Sequence, residues 1–359
     1  NAAFGTQRSH VQVMSPRFSI YNCLINMSPL LLSTLGLLLC FVVLTFCGKA
    51  LVNISIKLAR NIGVSDVIIG TTLTAFVTGA PTLLVSIMAF VNNQPDIALG
   101  NLIGTNYVNL GLALGIPAFM TTIIVKQEVF EKEIPLYFAI TALFTALIID
   151  RQLTLTDGVI LILFLVSAWV IIIQYGFLHK NKEVEEDFKN VVGLKDHKAS
   201  AKSVGKDLLS IGLLVFLLLA ASLGITLLTP MFSEVTGISS YLLGLTLVGI
   251  GTSIPTIVAS IVAAKTNNND LIVGNVFGGN VLNLGLGIGV LSVIRQIPVS
   301  DGVINDTVFV NIYGAIVVIL ILAEMKLLGR MKTLSKLSGF IMIFTYLCYT
   351  VFTIYMSFK

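Results

Sequence analysis

Two short stretches of the chain place a proline between two threonines inside long apolar runs. "TGAPT" covers residues 78–82, and "TSIPT" covers residues 252–256, 174 positions later. Proline lacks an N–H and clashes with the carbonyl one turn back, so both helices are predicted to break at Pro81 and Pro255. Backbone groups freed in this way must face protein or a polar cavity. The hydroxyls and carbonyls at such a break could bind a small ion or polar solute; the alternative is a helix kink without a site.

The composition places these stretches in a membrane. Hydrophobic residues make up 56% of the 359 residues, charged residues make up 11%, and the mean hydropathy is +0.96. Soluble domains carry roughly 25% charged residues, so we predict an all-α polytopic membrane protein. About 20 apolar residues cross the hydrocarbon core as a helix. The apolar runs predict ten such spans, near 28–48, 66–91, 96–120, 134–149, 155–178, 207–229, 239–264, 270–294, 303–325 and 335–356.

An internal repeat relates the two motifs. Residues 70–89 and 244–263 are identical at nine of 20 positions, and residues 96–115 and 270–289 at ten of 20, both at an offset of 174. Such self-similarity marks two equivalent structural units. Each unit holds five predicted spans, and because five is odd, the second unit must enter the membrane inverted. Inverted repeats with broken helices are typical of secondary transporters, whose binding site lies at the midplane between the units.

The predicted organisation is therefore two five-helix repeats joined by a polar linker. Repeat 1 covers residues 28–178, the linker covers 179–206, and repeat 2 covers 207–359, with an N-terminal segment at 1–27. We interpret the first 13 residues, which precede the first methionine, as an addition to the natural start.

Lysine and arginine predict the orientation of the spans. Of the 22 basic residues, 17 fall on one set of loops, seven of them in the linker, and five fall on the opposite face. We therefore expect the linker to be cytoplasmic and both termini to be outside, in the inner or plasma membrane of a prokaryote. The linker is interpreted as a solvated connection, with a regulatory segment as the alternative.

Repeated asparagines are the second polar feature of the apolar spans: Asn101, Asn106 and Asn109 recur as Asn275, Asn280 and Asn283. Buried amides are costly unless they find partners. These could bond across helices and allow close glycine packing, or they could bind a ligand. We expect Asn101 and Asn275, just before small-residue packing motifs, to have the structural role of bonding across helices with close glycine packing. Asn109 and Asn283 lie deeper along their helices and are the better ligand candidates.

At these positions the paired segments resemble the two alpha-repeats of the sodium/calcium exchanger (cation/calcium exchanger) superfamily. The ten-span layout is similar to that of its prokaryotic members. The resemblance implies alternating access, in which two helices slide across a rigid eight-helix core. By analogy the sliding helices would be the spans near 28–48 and 207–229. The kinked family helix reads like G-T-S-x-P-E, and its glutamates are the main calcium ligands; carried over, those glutamates fall on Thr82 and Thr256.

Further positions of the family pattern are also occupied by neutral residues. The acid that follows in the second repeat falls on Asn283, and its counterpart in the first is Asn109. The motif serine falls on Gly79 and Ser253, and a small-hydroxyl position falls on Thr105 and Gly279. The candidate binding residues are Thr78, Thr82, Thr105, Asn109, Thr252, Ser253, Thr256 and Asn283. The supporting residues are Ala75, Ser86, Asn106, Gly249, Ser260 and Asn280. Ser86 and Ser260 could widen the polar surface or bond back to the backbone.

The missing acids change the chemistry that the resemblance implies. The remaining acidic residues are expected in loops or near span ends, among them Asp66, Asp96, Asp150, Asp157, Asp270, Asp301 and Glu324. Calcium takes 6–8 oxygens, usually including carboxylates, so a neutral pocket would leave its two charges uncompensated at low dielectric. Calcium is therefore disfavoured as cargo. A single Na+ could be held by Thr78, Thr82, Thr252 and Thr256 together with freed carbonyls. The N-termini of the half-helices after the prolines would instead favour an anion.

Three functions are compatible with these residues. The favoured one is a secondary transporter of the exchanger fold with altered substrate, coupled to Na+ or independent of it. The alternatives are a cation antiporter of the sodium/calcium type that uses neutral ligands, and a non-transporting membrane scaffold or sensor. The sequence contains no catalytic dyad, metal cluster or phosphate loop, so we do not expect an enzyme. No cofactor is expected other than Na+ as a coupling ion. The expected partners are a small ion or small-molecule solute and the lipid bilayer, without nucleic acid; the oligomeric state is open.

Overall fold

The computed structural model describes residues 16–61, 74–125, 127–178, 201–266, 269–328 and 333–357. These residues are almost entirely helical. In the first half the elements are α1 Pro16–Asn61, α2 Thr74–Val91, α3 Pro95–Val108, the π-helix π1 Asn109–Ala113, α4 Gly115–Met120, β1 Ile123–Ile124, α5 Gln127–Leu147, β2 Gln152–Leu153 and α6 Leu155–Leu178. In the second half they are α7 Ala201–Thr236, α8 Ser240–Leu243, π2 Gly244–Val248, α9 Gly249–Lys265, α10 Asn269–Leu282, π3 Asn283–Ile288, α11 Gly289–Ile294, β3 Ile297–Pro298, α12 Asp301–Leu328, β4 Thr333–Leu334 and α13 Lys336–Ser357.

Seven helical runs of the described residues are long and apolar enough to cross a membrane. They are Pro29–Ser55, Pro95–Met120, Gly205–Thr236, Ser240–Lys265, Leu271–Ile294, Asp301–Met325 and Lys336–Met356, with two shorter apolar helices at Thr78–Val91 and Leu155–Ile171. On α1, large apolar side chains such as Leu39 and Phe46 are exposed, as suits a lipid-facing surface. The chain is an all-α polytopic membrane protein, and the described residues add four two-residue strands to the helices.

Several boundaries differ from the sequence-based expectation. The first helix begins at Pro16, inside the segment predicted to precede repeat 1, and α7 begins at Ala201, inside the predicted linker. Both helices therefore extend beyond the apolar stretch that defined the predicted span. Residues 1–15, the 179–200 part of the linker and the 62–73 part of the second span, with Asp66, lie outside the described residues.

The helices do not unwind at the two prolines, so the prediction of broken helices there is wrong, while a kink at either proline stays a prediction. The α2 helix continues through Pro81, and α9 continues through Pro255. A membrane helix tolerates a proline where neighbouring helices satisfy and pack its freed backbone. A Cβ added at Gly48 of α1 would lie 3.3 Å from Pro81 Cγ and 3.8 Å from Pro255 Cγ, so α1 crosses close to both prolines at a residue without a side chain.

Within the described ranges, three helical segments have π-helical backbone. One precedes α9, and the other two begin at Asn109 and Asn283, at the point where α3 and α10 would otherwise continue. A π-bulge shifts the side chains after it around the helix axis and is frequent at functional sites. Because Asn109 and Asn283 are repeat equivalents, the same distortion occurs at the same place in both units.

Two contacts between helices set the shape of the interior. The α1 helix packs along α7, and a Cβ added at Gly224 would lie 2.6 Å from Cys40 Sγ. The α3 helix packs against π2 so closely that a Cβ added at Gly104 would lie 2.0 Å from the Leu245 carbonyl oxygen. Side chains on α3 can therefore reach residues of α9.

The short strands pair across connections that are distant in sequence. β1 is antiparallel to β4, with Ile123 opposite Leu334, and β2 is antiparallel to β3, with Leu153 opposite Ile297. Each pair joins a connection from the first half of the chain to one from the second, which ties the two halves together outside the helices.

Candidate functional site

Two threonine–asparagine pairs connect the halves of the chain reciprocally. Thr78 Oγ1 on α2 donates to Asn275 Oδ1 on α10 at 2.9 Å. Its repeat equivalent, Thr252 on α9, lies with Oγ1 2.9 Å from Asn101 Oδ1 on α3. All four side chains are buried. Thr78 and Thr252 are thus each positioned by an asparagine of the opposite repeat, and the interhelical hydrogen bonding expected of Asn101 and Asn275 is confirmed.

Four further asparagines form a second reciprocal arrangement, which we call the asparagine tetrad: Asn106, Asn109, Asn280 and Asn283. Asn109 Nδ2 donates to Asn280 Oδ1 at 2.9 Å, and Asn283 Nδ2 donates to Asn106 Oδ1 at 2.9 Å. Asn280 Nδ2 in addition donates to the backbone oxygen of Asn106 at 3.1 Å. The tetrad therefore joins α3 and π1 to α10 and π3 through amide groups alone.

The tetrad keeps two acceptor atoms without a donor. Asn109 Oδ1 and Asn283 Oδ1 are buried and have no hydrogen-bond partner. An amide oxygen offers two lone pairs. A buried acceptor that makes no hydrogen bond costs about 1–3 kcal/mol of stability. The donors Nδ2 of the same two residues are occupied by their tetrad partners. What this part of the molecule offers to a ligand is oxygen lone pairs, at two repeat-equivalent positions.

The remaining candidate hydroxyls belong to Thr82, Thr105, Ser253 and Thr256, and all four residues are buried. Thr105 Oγ1 lies 3.3 Å from Thr252 Oγ1, and Ser253 donates to the Gly249 carbonyl within its own helix at 2.7 Å. Thr82 and Thr256, which follow the two prolines, are both buried. A hydroxyl that donates to backbone keeps its oxygen lone pairs for another group.

The two supporting serines behave differently from one another. Ser86 Oγ lies 3.3 Å from the Ala98 carbonyl and accepts from Asn101 Nδ2 at 2.9 Å, so it bonds across to α3 rather than back along α2. Asn101 Nδ2 also donates to the Thr82 backbone oxygen at 3.1 Å. Ser260 Oγ is buried without a partner. Ala75 lies in α2, but its side chain is outside the described part.

No formal charge enters this network. Its bonds join hydroxyls, amides and backbone carbonyls. Among the residues that the structure describes, His, Cys, Asp and Glu form no group of three or more that could hold a metal. A small cavity opens beside Asn106, and its other polar walls are Thr141, Thr307 and Asn311. The site is therefore polar, buried and neutral.

Two buried acids, Asp207 and Asp306, are not among the acids named from the sequence; Asp207 is paired with Lys57 at 3.0 Å. Asp306 on α12 accepts from Tyr241 Oη at 2.7 Å and from Tyr349 Oη. Asp306 lies about one and a half turns after the start of its helix and is buried. From the sequence alone, its position near the end of a predicted span suggests an exposed carboxylate. Tyr241 and Tyr349 are not part of the network of threonines and asparagines.

Comparison with known proteins identifies the family. The family described as sodium/calcium exchanger protein matches residues 32–174 and 209–355. The inner membrane protein YrbG of Escherichia coli is 27% identical over 74% of this chain and 81% of its own length. The sodium/calcium exchanger MaX1 of Methanosarcina acetivorans is 24% identical over 68% of this chain and 78% of its own length.

A solved structure shows the same fold. The sodium-calcium exchanger NCX_Mj, studied with Na+ and Sr2+, superimposes with a TM-score of 0.59 at 24% identity, covering 89% of this chain and 97% of that one. At this identity the likeness shows the fold alone. With the family matched over both halves, the chain belongs to the sodium/calcium exchanger protein family, whose members are membrane antiporters that carry small ions.

Proposed function

We propose that this transporter carries a monovalent cation, Na+, through a neutral midplane site by alternating access. The observation that carries the proposal is the pair of buried oxygens, Asn109 Oδ1 and Asn283 Oδ1, which lack a donor in an otherwise bonded network. The oxygens of Thr78, Thr82, Thr105, Thr252, Ser253 and Thr256 complete the proposed ligand set.

The balance of donors and acceptors favours a cation over an anion. The amide donors of Asn109 and Asn283 are already bonded, whereas their amide oxygens are not. An anion would need free donors, and the half-helix N-termini expected after the prolines are not formed, because α2 and α9 continue through them. A cation would complete two acceptors that are otherwise buried without a partner.

The neutral ligands favour one charge over two. Hydroxyl, amide and carbonyl oxygens can replace the hydration shell of a monovalent ion. A divalent ion in the same site would keep two charges uncompensated at low dielectric, where the desolvation cost rises steeply. Thr82 and Thr256, at the positions where the family resemblance implies glutamates, add dipoles but no charge.

The proposed organisation follows the internal repeat. Residues 28–178 and 207–359 would form two inverted five-helix units, with the 179–206 linker in the cytoplasm and both termini outside, in a prokaryotic inner or plasma membrane. The α1 and α7 helices would slide over the rest of the bundle. The placement of Gly48 beside both Pro81 and Pro255 supports this assignment for α1, since it leaves a smooth contact over the site-bearing helices.

The first test is thermal stability of the detergent-purified protein in Na+, K+ or choline at constant ionic strength, with a calcium titration alongside. A ligand that binds only the folded state raises stability by RT ln(1 + [L]/Kd). We expect a shift in Na+ that is absent in choline and is not reproduced by calcium. The N109L/N283L variant should lose this shift. Thr350→Val is the matched control, since its hydroxyl bonds to the Tyr346 carbonyl within α13.

The outcomes distinguish the alternatives. A calcium shift of equal or greater size would overturn the neutral-site proposal in favour of a sodium/calcium antiporter with neutral ligands. No shift with either cation would contradict cation binding and favour a non-transporting scaffold or sensor. Calcium transport gained by the T82E/T256E variant, and absent from the unsubstituted protein, would support the assignment of those two positions.

A further inference from the structure

We infer that this protein also catalyses net, voltage-driven movement of the cation, because its empty site can cross the membrane. The inference rests on the proposed function, a Na+ carrier, and adds an activity to exchange. A carrier is confined to exchange only when its empty form cannot reorient. What prevents reorientation in a carboxylate-lined site is uncompensated charge, which is expensive to move through a low-dielectric interior.

The proposed ligand side chains carry no such charge. They are threonine, serine and asparagine, none of which ionises near neutral pH. Removal of the cation therefore leaves a site with a formal charge of zero. The electrostatic penalty that would hold an empty carboxylate site on one side of the membrane is missing here.

The empty site is also largely satisfied by its own hydrogen bonds. Four hydrogen bonds link the two halves of the chain: two are threonine–asparagine bonds and two are asparagine–asparagine bonds. Only Asn109 Oδ1 and Asn283 Oδ1 within the tetrad are left over. An empty carrier whose side chains are bonded except for these two amide oxygens, and which has no charge to move, needs no cargo for its return step.

The charge then resides on the loaded form alone. A neutral site that holds one Na+ crosses with a net charge of +1, and an empty site crosses with none. Membrane voltage therefore acts on the loaded step and drives net flux. At equilibrium the Na+ accumulation ratio should approach the ratio of the ion that sets the voltage.

The test uses uptake of radioactive sodium into proteoliposomes of the full chain in two modes. In the exchange mode the vesicles are loaded with Na+. In the net mode they contain K+ without Na+, and valinomycin converts a roughly 100-fold outward K+ gradient into an inside-negative voltage. We expect uptake in both modes, with net uptake that requires valinomycin and exceeds that of protein-free vesicles at least tenfold. A sodium–potassium exchange would proceed without valinomycin, which separates it from voltage-driven flux.

Variants that restore charge should separate the two modes. T82E/T256E, and the isosteric Asn283→Asp as a variant of smaller steric demand, should reduce net uptake at least fivefold more than exchange. Thr350→Val should leave both unchanged. Exchange without valinomycin-dependent net uptake in the unsubstituted protein would overturn this inference and leave the proposed function standing. Uptake in neither mode would overturn the proposed function, and this inference with it.

Discussion

Asn109 Nδ2 donates to Asn280 Oδ1 at 2.9 Å, and the residues related to this pair by the 174-residue offset, Asn283 and Asn106, form the same bond at the same distance. Each repeat unit therefore supplies one amide that donates to the other unit and one amide that accepts from it. The two halves are therefore joined at this point by mutual hydrogen bonds between amide groups.

The threonine–asparagine pairs should contribute measurably to stability. Thr252→Val is nearly isosteric and leaves Asn101 Oδ1 without its hydroxyl neighbour, and Thr78→Val does the same to Asn275. Interhelical bonds in membranes contribute about 0.6–2 kcal/mol, so each variant should lose about that much free energy of unfolding. Reversible unfolding in mixed micelles measures it.

A double-mutant cycle checks that the loss comes from the pair. The T252V/N101L variant should be less destabilised than the sum of its single variants, because removing both partners leaves no orphaned group. Additive losses would show that Thr252 and Asn101 do not interact energetically, despite a distance of 2.9 Å.

Gly279 and Gly79 provide a matched pair for adding a hydroxyl ligand. A Cβ at Gly279 would meet only Asn109 Nδ2, at 3.6 Å, which is ordinary contact. A Cβ at Gly79 would lie 2.9 Å from Leu282 Cδ2, in the packed interior. We expect Gly279→Ser to fold normally and to tighten Na+ binding several-fold, since it adds an oxygen beside the tetrad. Gly79→Ser should lose about 1–3 kcal/mol from overpacking.

Sodium-dependent thermal shifts measure both variants in one format. The prediction for Gly279 is contradicted if Gly279→Ser binds Na+ no better than the unsubstituted protein while folding equally well. Equal stability of the two serine variants would contradict the difference in space around the two glycines.

The sequence predicted the elements of this fold well and their distortions poorly. Hydropathy and the internal repeat are visible in composition and identity, so the apolar helices were predicted in the right order, but several ends differ: the helix predicted at 28–48 covers Pro16–Asn61, and the one predicted at 207–229 covers Ala201–Thr236. The shape of the backbone at Pro81 and Pro255 was not predictable, because it depends on α1 crossing both prolines at Gly48. The π-segments that begin at Asn109 and Asn283 leave no mark in apolar periodicity.

The candidate site was predictable as a set of residues but not as a network. The internal repeat identified the threonines and asparagines, because the same polar residue types recur inside apolar helices at equivalent positions of the two units. The partners came from tertiary structure: Asn101 and Asn275 face the motif threonines of the opposite unit, at sequence separations that no local pattern encodes. Asp306 was overlooked because burial by tyrosines from α8 and α13 cannot be seen from α12 alone.

The contact of α1 with α9 should respond to a single methyl group. The ring of Phe41 occupies the space beside Gly251, where a Cβ would lie 2.1 Å from Phe41 Cε1. Gly251→Ala should therefore displace α1 or the ring, with a loss of about 1–3 kcal/mol and slower transport. The F41L/G251A variant, with a smaller side chain opposite the new methyl group, should recover part of the stability. Thermal unfolding and sodium uptake rates check both; an unaffected Gly251→Ala variant would contradict this packing.

Asp306 should stabilise the bundle through its two tyrosines and not through its charge alone. Asp306→Leu would leave the buried hydroxyls of Tyr241 and Tyr349 without their acceptor, at about 1–3 kcal/mol for each orphaned group. Asp306→Asn keeps one acceptor oxygen and should lose roughly half as much.

Asp301→Asn is the control on the same helix, since its ion pair with Arg151, at 2.8 Å, is exposed and such pairs contribute about 0–1 kcal/mol. Unfolding free energies should rank Asp301→Asn above Asp306→Asn and Asp306→Asn above Asp306→Leu. If Asp306→Leu were as stable as Asp301→Asn, the carboxylate would not be what holds α8 and α13 against α12.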